Sequence, residues 1–473
     1  MPLLQTPPPT ILPNYSPNSA SLSKYSGYPA DTQIAVSSTH VVVTARAVIA
    51  FYDKTGSLLQ SISTRNFFAP LNLQSQFGID SYYDTRAIFD SYRNRFWMGA
   101  LTYNSAHFSD VNRHDVFVVA VSKTENPFDG WYYYWWDAVA HYGISGDPVF
   151  QPGDAADYPS LGIDGSCMYQ TNEVKNVMTN TYRYWHVIFW PAGALANGSS
   201  NISGWQFWDL TNPDSTPAGL IQPVVHHGPN TRAYFLSKYA NNQILIWGLD
   251  NPLQPTQQLS RVAITVSPFT FPPNAPQKDS TQLIQMCNLN NDPIKAVYRE
   301  NMLYVTMNDA RDWFKDNNPT NSIRLVRVNV AAYPNISTSP VSGFINRTFG
   351  ANNPIEDSPT TRMYYGWPAV EVNAHGHMAI VYSRTGTTIY PEMRYSAFLS
   401  TEQDIRPSRI VKNGEAAYTR ESNPQILAWG DTAGASVDPS DDNTIWIAHQ
   451  YASPTAVNSM DGNFEVWIAK VFG

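Results

Sequence analysis

The sequence predicts an all-β protein, a seven-bladed β-propeller of four-stranded antiparallel sheets. Three observations predict it. One short phrase recurs seven times along the chain. Strand signals fill the intervals between the copies, and no convincing amphipathic helix interrupts them. Self-similarity at a fixed interval is the mark of a repeat architecture, in which each unit buries its apolar face only against its neighbours.

The phrase opens on Asp, Asn or Gly, then runs as a small apolar strand, a tight polar turn and a second apolar or aromatic strand. Its copies begin at Asp31 (DTQIAVSSTHVVVT), Asp84 (DTRAIFDSYRNRFWMG), Asp157 (DYPSLGIDGSCMYQT), Asn230 (NTRAYFLSKYANNQILIWG), Asp292 (DPIKAVYRENMLYVT), Gly366 (GWPAVEVNAHGHMAIVYS) and Asp431 (DTAGASVDPSDDNTIWIA). A four-stranded blade takes roughly 40–50 residues, and loops take the rest of each interval. Turn chemistry separates the two strands: Asp164-Gly165-Ser166 in one copy, Asn241-Asn242 in another, Asn373 to Gly376 in a third. Further strands are expected at 116–124, 131–138, 184–190, 323–330 and 464–472, where apolar runs lie between Gly, Pro, Asn and Ser. One helical turn is allowed at 308–316. The last copy holds only about three strands, so a segment from the start of the chain, Thr10–Leu12 or the residues just before Ile34, is expected to complete it. An open ring would leave two unpaired edges.

The chain divides into a Pro-rich extended arm, 1–30, and a single propeller domain, 31–473. Of its 473 residues 43% are hydrophobic and only 14% charged, against roughly 25% charged in ordinary soluble proteins. That balance suits a protein outside a cell or on a virion or particle surface. Residues 1–30 have neither the basic start nor the apolar stretch of a secretory leader, so removal of a leader or a non-standard export route is expected. A net charge of −8 without a basic block excludes nucleic acid as a main partner. No apolar run is long enough to span a membrane as a helix. Cys167 and Cys287, the only cysteines, fall in different repeats and read as two buried free thiols, with a disulfide between them as the alternative in an exported chain.

In a propeller the residue before each innermost strand is repeated around the axis. Here that position reads Asp31, Asp84, Asp157, Asn230, Asp292, the Gly366-Trp367 exception, and Asp431. Several carboxylates are therefore expected in one central funnel. Three roles suit them: oxygens of Asp31, Asp84, Asp157, Asp292 and Asp431 around a hard cation such as Ca²⁺, paired acid–base chemistry on a glycan, or acceptors that lock one blade to the next. Arg86 and Arg232 each lie two residues after a ring position, where they pair with it or clamp an anion. His226 and its neighbour His227 sit on a loop expected at the funnel, as a surface pair or as base or metal ligand. Tyr158 and Trp367, with Tyr364 and Tyr365, form an aromatic mouth suited to sugar rings. The run WYYYWWDAV (131–139) sends Trp131, Tyr133 and Trp135 to one face and Tyr132, Tyr134 and Trp136 to the other, and both faces need cover.

The closing segment WGDTAGASVDPSDDNTIWIAHQY (429–451), with DTRAIFDSYRNRFW, ADYPSLGID and WPAVEVNAHGHMAIVYSRTG, resembles a broad, largely uncharacterised group of secreted bacterial seven-bladed propeller proteins. The resemblance covers the chain from about residue 31 and implies the fold. Ser436-Val437-Asp438 with Thr444-Ile445-Trp446 is also similar to the Asp-box turn of sialidases, with a longer turn and without the usual Gly. The expected function is a binding or interaction module whose acidic funnel holds a cation or a carbohydrate-like ligand, with a glycan or a protein as partner. The alternatives are a polysaccharide-active hydrolase or lyase using the same funnel, and a structural component of a larger assembly.

Overall fold

The computed structural model describes residues 10–11, 29–45, 47–139, 151–287, 295–350, 358–402, 404–420, 425–454 and 463–472. Almost all regular structure in them is β. The described strands form five four-stranded antiparallel sheets, a two-stranded sheet and a nine-stranded sheet. In the nine-stranded sheet two further four-stranded antiparallel units are joined through Val225–His227, so seven four-stranded units are met in chain order. Unit one runs from Gln33–Val36 to Leu58–Ser63, unit two from Ser81–Asp90 to Trp131–Asp137, and unit three from Asp154–Ile163 to Trp205–Phe207. Unit four comprises Gln222–Pro223, Arg232–Tyr239, Gln243–Asp250 and Gln258–Thr265. Unit five runs from Lys295–Arg299 to Ile345–Phe349, and unit six from Met363–Val372 to Arg409–Lys412. Unit seven takes Gly434–Val437, Ile445–Ala452 and Phe464–Val471 from the end of the chain, and its fourth strand from the beginning. Thr10 pairs with Lys470 and Ile11 with Ala469. The ring is thus closed by the chain's own start, as expected of a sheet that would otherwise end in a bare edge.

Period-2 alternation explains why the units stack. Val41 and Val43 face unit seven, where they meet Trp446, Val466 and Ile468. Val42, between them, faces unit two with Ile49, Phe96 and Met98. The pattern continues around the circle: Trp97 and Phe117 against Leu161 and Met168, Trp185 and Phe189 against Phe235 and Trp247, Leu236 and Ile246 against Val305 and Val326. It ends with Leu325 against Val370 and Tyr382, and Val381 and Tyr395 against Ile445 and Ile447. Seven apolar layers therefore separate seven units, one per neighbouring pair, which is a propeller. Trp131 and Tyr133 pack toward unit one and Tyr132, Tyr134 and Trp136 toward unit three, as their alternation predicts.

Two features of the fold differ from the sequence expectation. Six of the phrases supply strands one and two of their units; the phrase at Asn230 supplies strands two and three. The innermost strand of unit four is the two-residue Gln222–Pro223, too short and too proline-bound to show periodicity. The chain then continues as Val225–His227, which pairs in parallel with Ile163 of unit three and Val297–Arg299 of unit five. Inner strands here come so close that a Cβ on Gly162 would lie 2.7 Å from that of Pro223. The helical turn expected at 308–316 is absent, because Met302–Arg311 is a strand paired along its whole length with Thr320–Asn329. Short helices occur instead at Thr64–Phe67, Leu73–Phe77 and Ala192–Ala196. Among the described residues no helix is long and apolar enough to cross a membrane.

The turn similar to an Asp box is a cross-unit clamp. Asp438 accepts from Ser440 N and Oγ, from Trp446 Nε1 at 2.8 Å, and from Lys54 of unit one. Asp438→Ala leaves the indole N–H and the ammonium without a partner at the seam where the ring closes. We expect it to lower unfolding free energy by about 2–4 kcal/mol, read as a shift of the denaturation midpoint; an unshifted midpoint would remove the clamp.

Candidate functional site

The innermost strands carry a repeated irregularity. In units two, three and six the pairing with the second strand slips at Tyr83/Arg86, Asp157/Ser160 and Gly366/Ala369. Within each slip one residue takes a left-handed backbone: Asp84 (φ 51°), Tyr158 (φ 52°) and Trp367 (φ 57°); Asp31 (φ 46°) does the same just ahead of unit one. Such bulges re-aim side chains, and for bulky residues a positive φ is strained. The ring position in unit three is therefore Tyr158 and not Asp157.

Asp31, Asp84, Asp157, Asp431, Tyr158, Arg86 and Lys295 meet at one end of the axis. Asp31 Oδ1 accepts from Asp431 N at 2.7 Å, and Thr432 Oγ1 donates to Thr32 O, so the first and last units are joined there. Asp84 lies 3.6 Å from Arg86 and hydrogen bonds to Asp31. Tyr158 hydrogen bonds to Asp431. Asp157 is held by Lys175 and by the Tyr158 N–H. Burial, offset in part by Arg86 and reinforced by Asp31 and Asp157, pushes Asp84 up to about 7. Burial, reinforced by Asp31 and Asp84, holds Asp431 well above the usual carboxylate range. Burial and the neighbouring Arg86 bring Lys295 down to about 7. The acids are thus compensated by protons, cations and backbone amides rather than presented as free carboxylates. Among the described residues no group of three or more His, Cys, Asp or Glu is arranged to hold a metal ion. Asp292 lies outside the described residues.

Other expected site residues stand elsewhere. Arg232 follows from the strand shift in unit four: it pairs with Asp250 at 2.8 Å and stacks on Tyr333, away from the axis. His226 and His227 are buried strand residues, not a surface loop pair. His226 packs between Tyr234 and Tyr298, and dehydration lowers it to about 4. His227 donates to or accepts from Glu371 at 2.9 Å. Trp367, Tyr364 and Tyr365 form no open aromatic mouth; each is at most 9% exposed, and Trp367 donates to Gln285 O. Tyr364 and Trp367 are buried because the segments around Leu283–Gln285 and Ile426–Ala428 pair over this end of units five to seven, and Tyr365 lies in the apolar layer between units five and six. Cys167 and Cys287 are both buried and form no disulfide, and the Cys287 thiol donates to Pro272 O.

Below the acidic cluster the axis is a narrow channel of about 100 Å³, lined among others by Gln33, Arg86, Ser160, Gln222, Lys295 and Ala369. A larger cavity, about 610 Å³, opens on the outer wall between units two and three. Tyr134, Trp136, Trp190 and Trp208 turn their rings to it, whereas Trp135 and Trp205 border it by their strands and turn their rings to the opposite faces, against Phe77 and Phe189. Its polar groups are Ser200, Ser203, Gln206 and Gln257. Trp136 and Trp190 form the buried floor, with ring centres 3.7 Å apart. Trp135 stands 38% exposed on the outermost strand of unit two. The Trp136 N–H is fixed by Gln170, and the buried Gln257 Oε1 has no protein partner. Gly204 lies so flat on Trp190 that a Cβ there would meet the indole at 2.4 Å. The sequence signal for this site was the surplus of aromatics in 131–136 and in GWQFWD (204–209); nothing in it places the two runs side by side.

No family model matches the sequence, and no curated protein is similar to it. Among solved structures, it is similar to the quinohemoprotein alcohol dehydrogenase of Comamonas testosteroni, with 10% identity, TM-score 0.42, and coverage of 97% of this chain and 69% of that one. It is also similar to Trypanosoma rangeli sialidase in complex with 2,3-difluorosialic acid (8% identity, TM-score 0.35, covering 82% and 54%). The polysaccharide lyase Uly1 is a third (10%, TM-score 0.36, 63% and 58%). The chain spans little more than half the length of the last two. At these scores the likenesses carry no argument about activity. The class that the strand topology defines is the β-propeller.

Asp84 makes stability depend on pH. In the unfolded chain its carboxyl ionises near 3.8, whereas in the folded ring it keeps its proton to about 7. Stability from this group is full below about pH 4 and is lost as pH rises toward 7. Asp84 retains 22% of its side-chain surface exposed, which limits the effect to about 2 kcal/mol. Asp84→Asn keeps a donor toward Asp31 and removes the titration. Denaturant unfolding at pH 4.5 and pH 8 is expected to show the variant gaining on the wild type at the higher pH.

Proposed function

We propose that the protein is a carbohydrate-binding module that acts outside a cell or on a particle surface and has no hydrolytic activity of its own. One observation carries this reading: a cavity of about 610 Å³ faced by the rings of Trp136, Trp190, Trp208 and Tyr134, with amide and hydroxyl groups in its lining. Sugar rings present apolar C–H faces and a polar edge, which fit indole faces beside amides and hydroxyls. The volume falls within the roughly 300–1,000 Å³ of small-ligand sites. None of the lining residues is a carboxylate, histidine or cysteine, so the cavity offers recognition without an acid–base pair.

The hydrolase or lyase reading draws less support from the axis. Glycosidase carboxyl groups stand roughly 5–9.5 Å apart so that substrate or water fits between them, whereas Asp84 and Asp31 hydrogen bond directly. The reading as a component of a larger assembly draws on the Pro-rich arm, but Thr10–Ile11 of that arm pairs within its own chain.

A glycan array followed by calorimetry tests the proposal on wild type, Tyr134→Ala and Trp208→Ala, whose rings lie in the layer at the cavity. The expected result is binding that weakens at least about tenfold, near 1.4 kcal/mol, in each of these two. Trp135→Ala, whose ring lies on the opposite face against Phe77, serves as the control and is expected to bind like the wild type. Failure of the wild type to bind any glycan, or full affinity in both Tyr134→Ala and Trp208→Ala, would overturn the reading.

A further inference from the structure

The axial channel holds two buried donors that the fold itself leaves unused. Arg86 is 5% exposed. Its Nε donates to Pro159 O at 2.7 Å and its Nη2 faces Asp84, but Nη1 is buried without a partner. Gln222 is 4% exposed. Its Oε1 accepts from Ser160 Oγ at 2.5 Å, which orients the amide, and its Nε2 is buried without a partner. Both residues line the same channel of about 100 Å³, together with Lys295. A buried donor left unsatisfied costs about 1–3 kcal/mol, so two in one small cavity point to something that accepts from both.

Arg86 and Lys295 bring positive charge to this lining, which they share with Gln33, Ser160, Gln222, His227 and Glu371 among others. The carboxylates near it are engaged. Asp31 takes the Asp431 N–H, Asp84 hydrogen bonds to Asp31, and Glu371 is held by His227 and by Val372 N. We propose that the channel binds one small monovalent anion of halide or formate size, held by Arg86 Nη1, Gln222 Nε2 and the Lys295 ammonium. Charge-assisted hydrogen bonds to such an ion satisfy the buried donors and relieve the repulsion between the two cations. Arg86, Gln222 and Lys295 belong to units two, four and five, so the ion ties three inner strands together across the axis.

Crystals of the full chain grown or soaked in sodium bromide test this directly. The expected result is an anomalous peak in the channel within hydrogen-bonding distance of Arg86 Nη1 and Gln222 Nε2. In solution, bromide is expected to raise the melting temperature of the wild type by about 2–4 °C more than that of Gln222→Leu or Lys295→Met at equal ionic strength. A channel with water density and no anomalous signal would overturn the proposal, whether or not the variants fold. So would a bromide shift identical in wild type and both variants. Neither outcome bears on glycan binding at the outer cavity.

Discussion

Both faces of nearly every sheet in this protein are apolar, and that constraint organises everything else. A two-faced sheet stays dry only between two neighbours. Seven of them, each sandwiched this way, must therefore form a circle. The alternation of Val41, Val42 and Val43 shows the rule at the scale of three residues: two valines belong to the layer shared with unit seven and one to the layer shared with unit two. Closure by Thr10–Ile11 answers the same demand at the scale of the chain, because the last sheet would otherwise expose a strand edge.

A circle of sheets brings the starts of its inner strands to one axis, and polar residues gather there. Left-handed bulges at Asp84 and Tyr158 re-aim those side chains into the cluster, while the one at Trp367 turns its indole under Leu283–Gln285. The resulting cluster is nearly self-sufficient. Carboxyls hydrogen bond to each other, to Tyr158 and to the backbone of the adjoining unit, and dehydration keeps some of them protonated. What is left over is a pair of donors in the adjoining channel, Arg86 Nη1 and Gln222 Nε2. The outer wall behaves oppositely. There the last strands of units two and three splay, and tryptophans that no further sheet covers line an open cavity.

Much of this was legible in the residues. The seven phrases located six pairs of first and second strands, and the face alternation in 131–136 matched the layers those side chains enter. The fourth unit was misread by one strand because Gln222–Pro223 is two residues long and carries no period. Arg232 was accordingly assigned to an axis it does not reach. His226-His227 reads as a polar loop by composition, yet backbone pairing on both sides draws it into a buried seam between units three and five. The tryptophan cavity combines residues 134–136, 188–208 and 257 from three units. Only the stacking of those units makes them neighbours.

By itself the sequence determined the fold class, since period-2 apolarity and a sevenfold phrase are local patterns whose only dry arrangement is a ring. It also determined that acidic residues recur at the starts of inner strands. Tertiary structure alone decided which of those acids face the axis, because a one-residue bulge shift exchanges Asp157 for Tyr158. It alone decided, too, where an open cavity remains, because a cavity is a failure of neighbouring sheets to fill space, and no single segment encodes the distance to its neighbour.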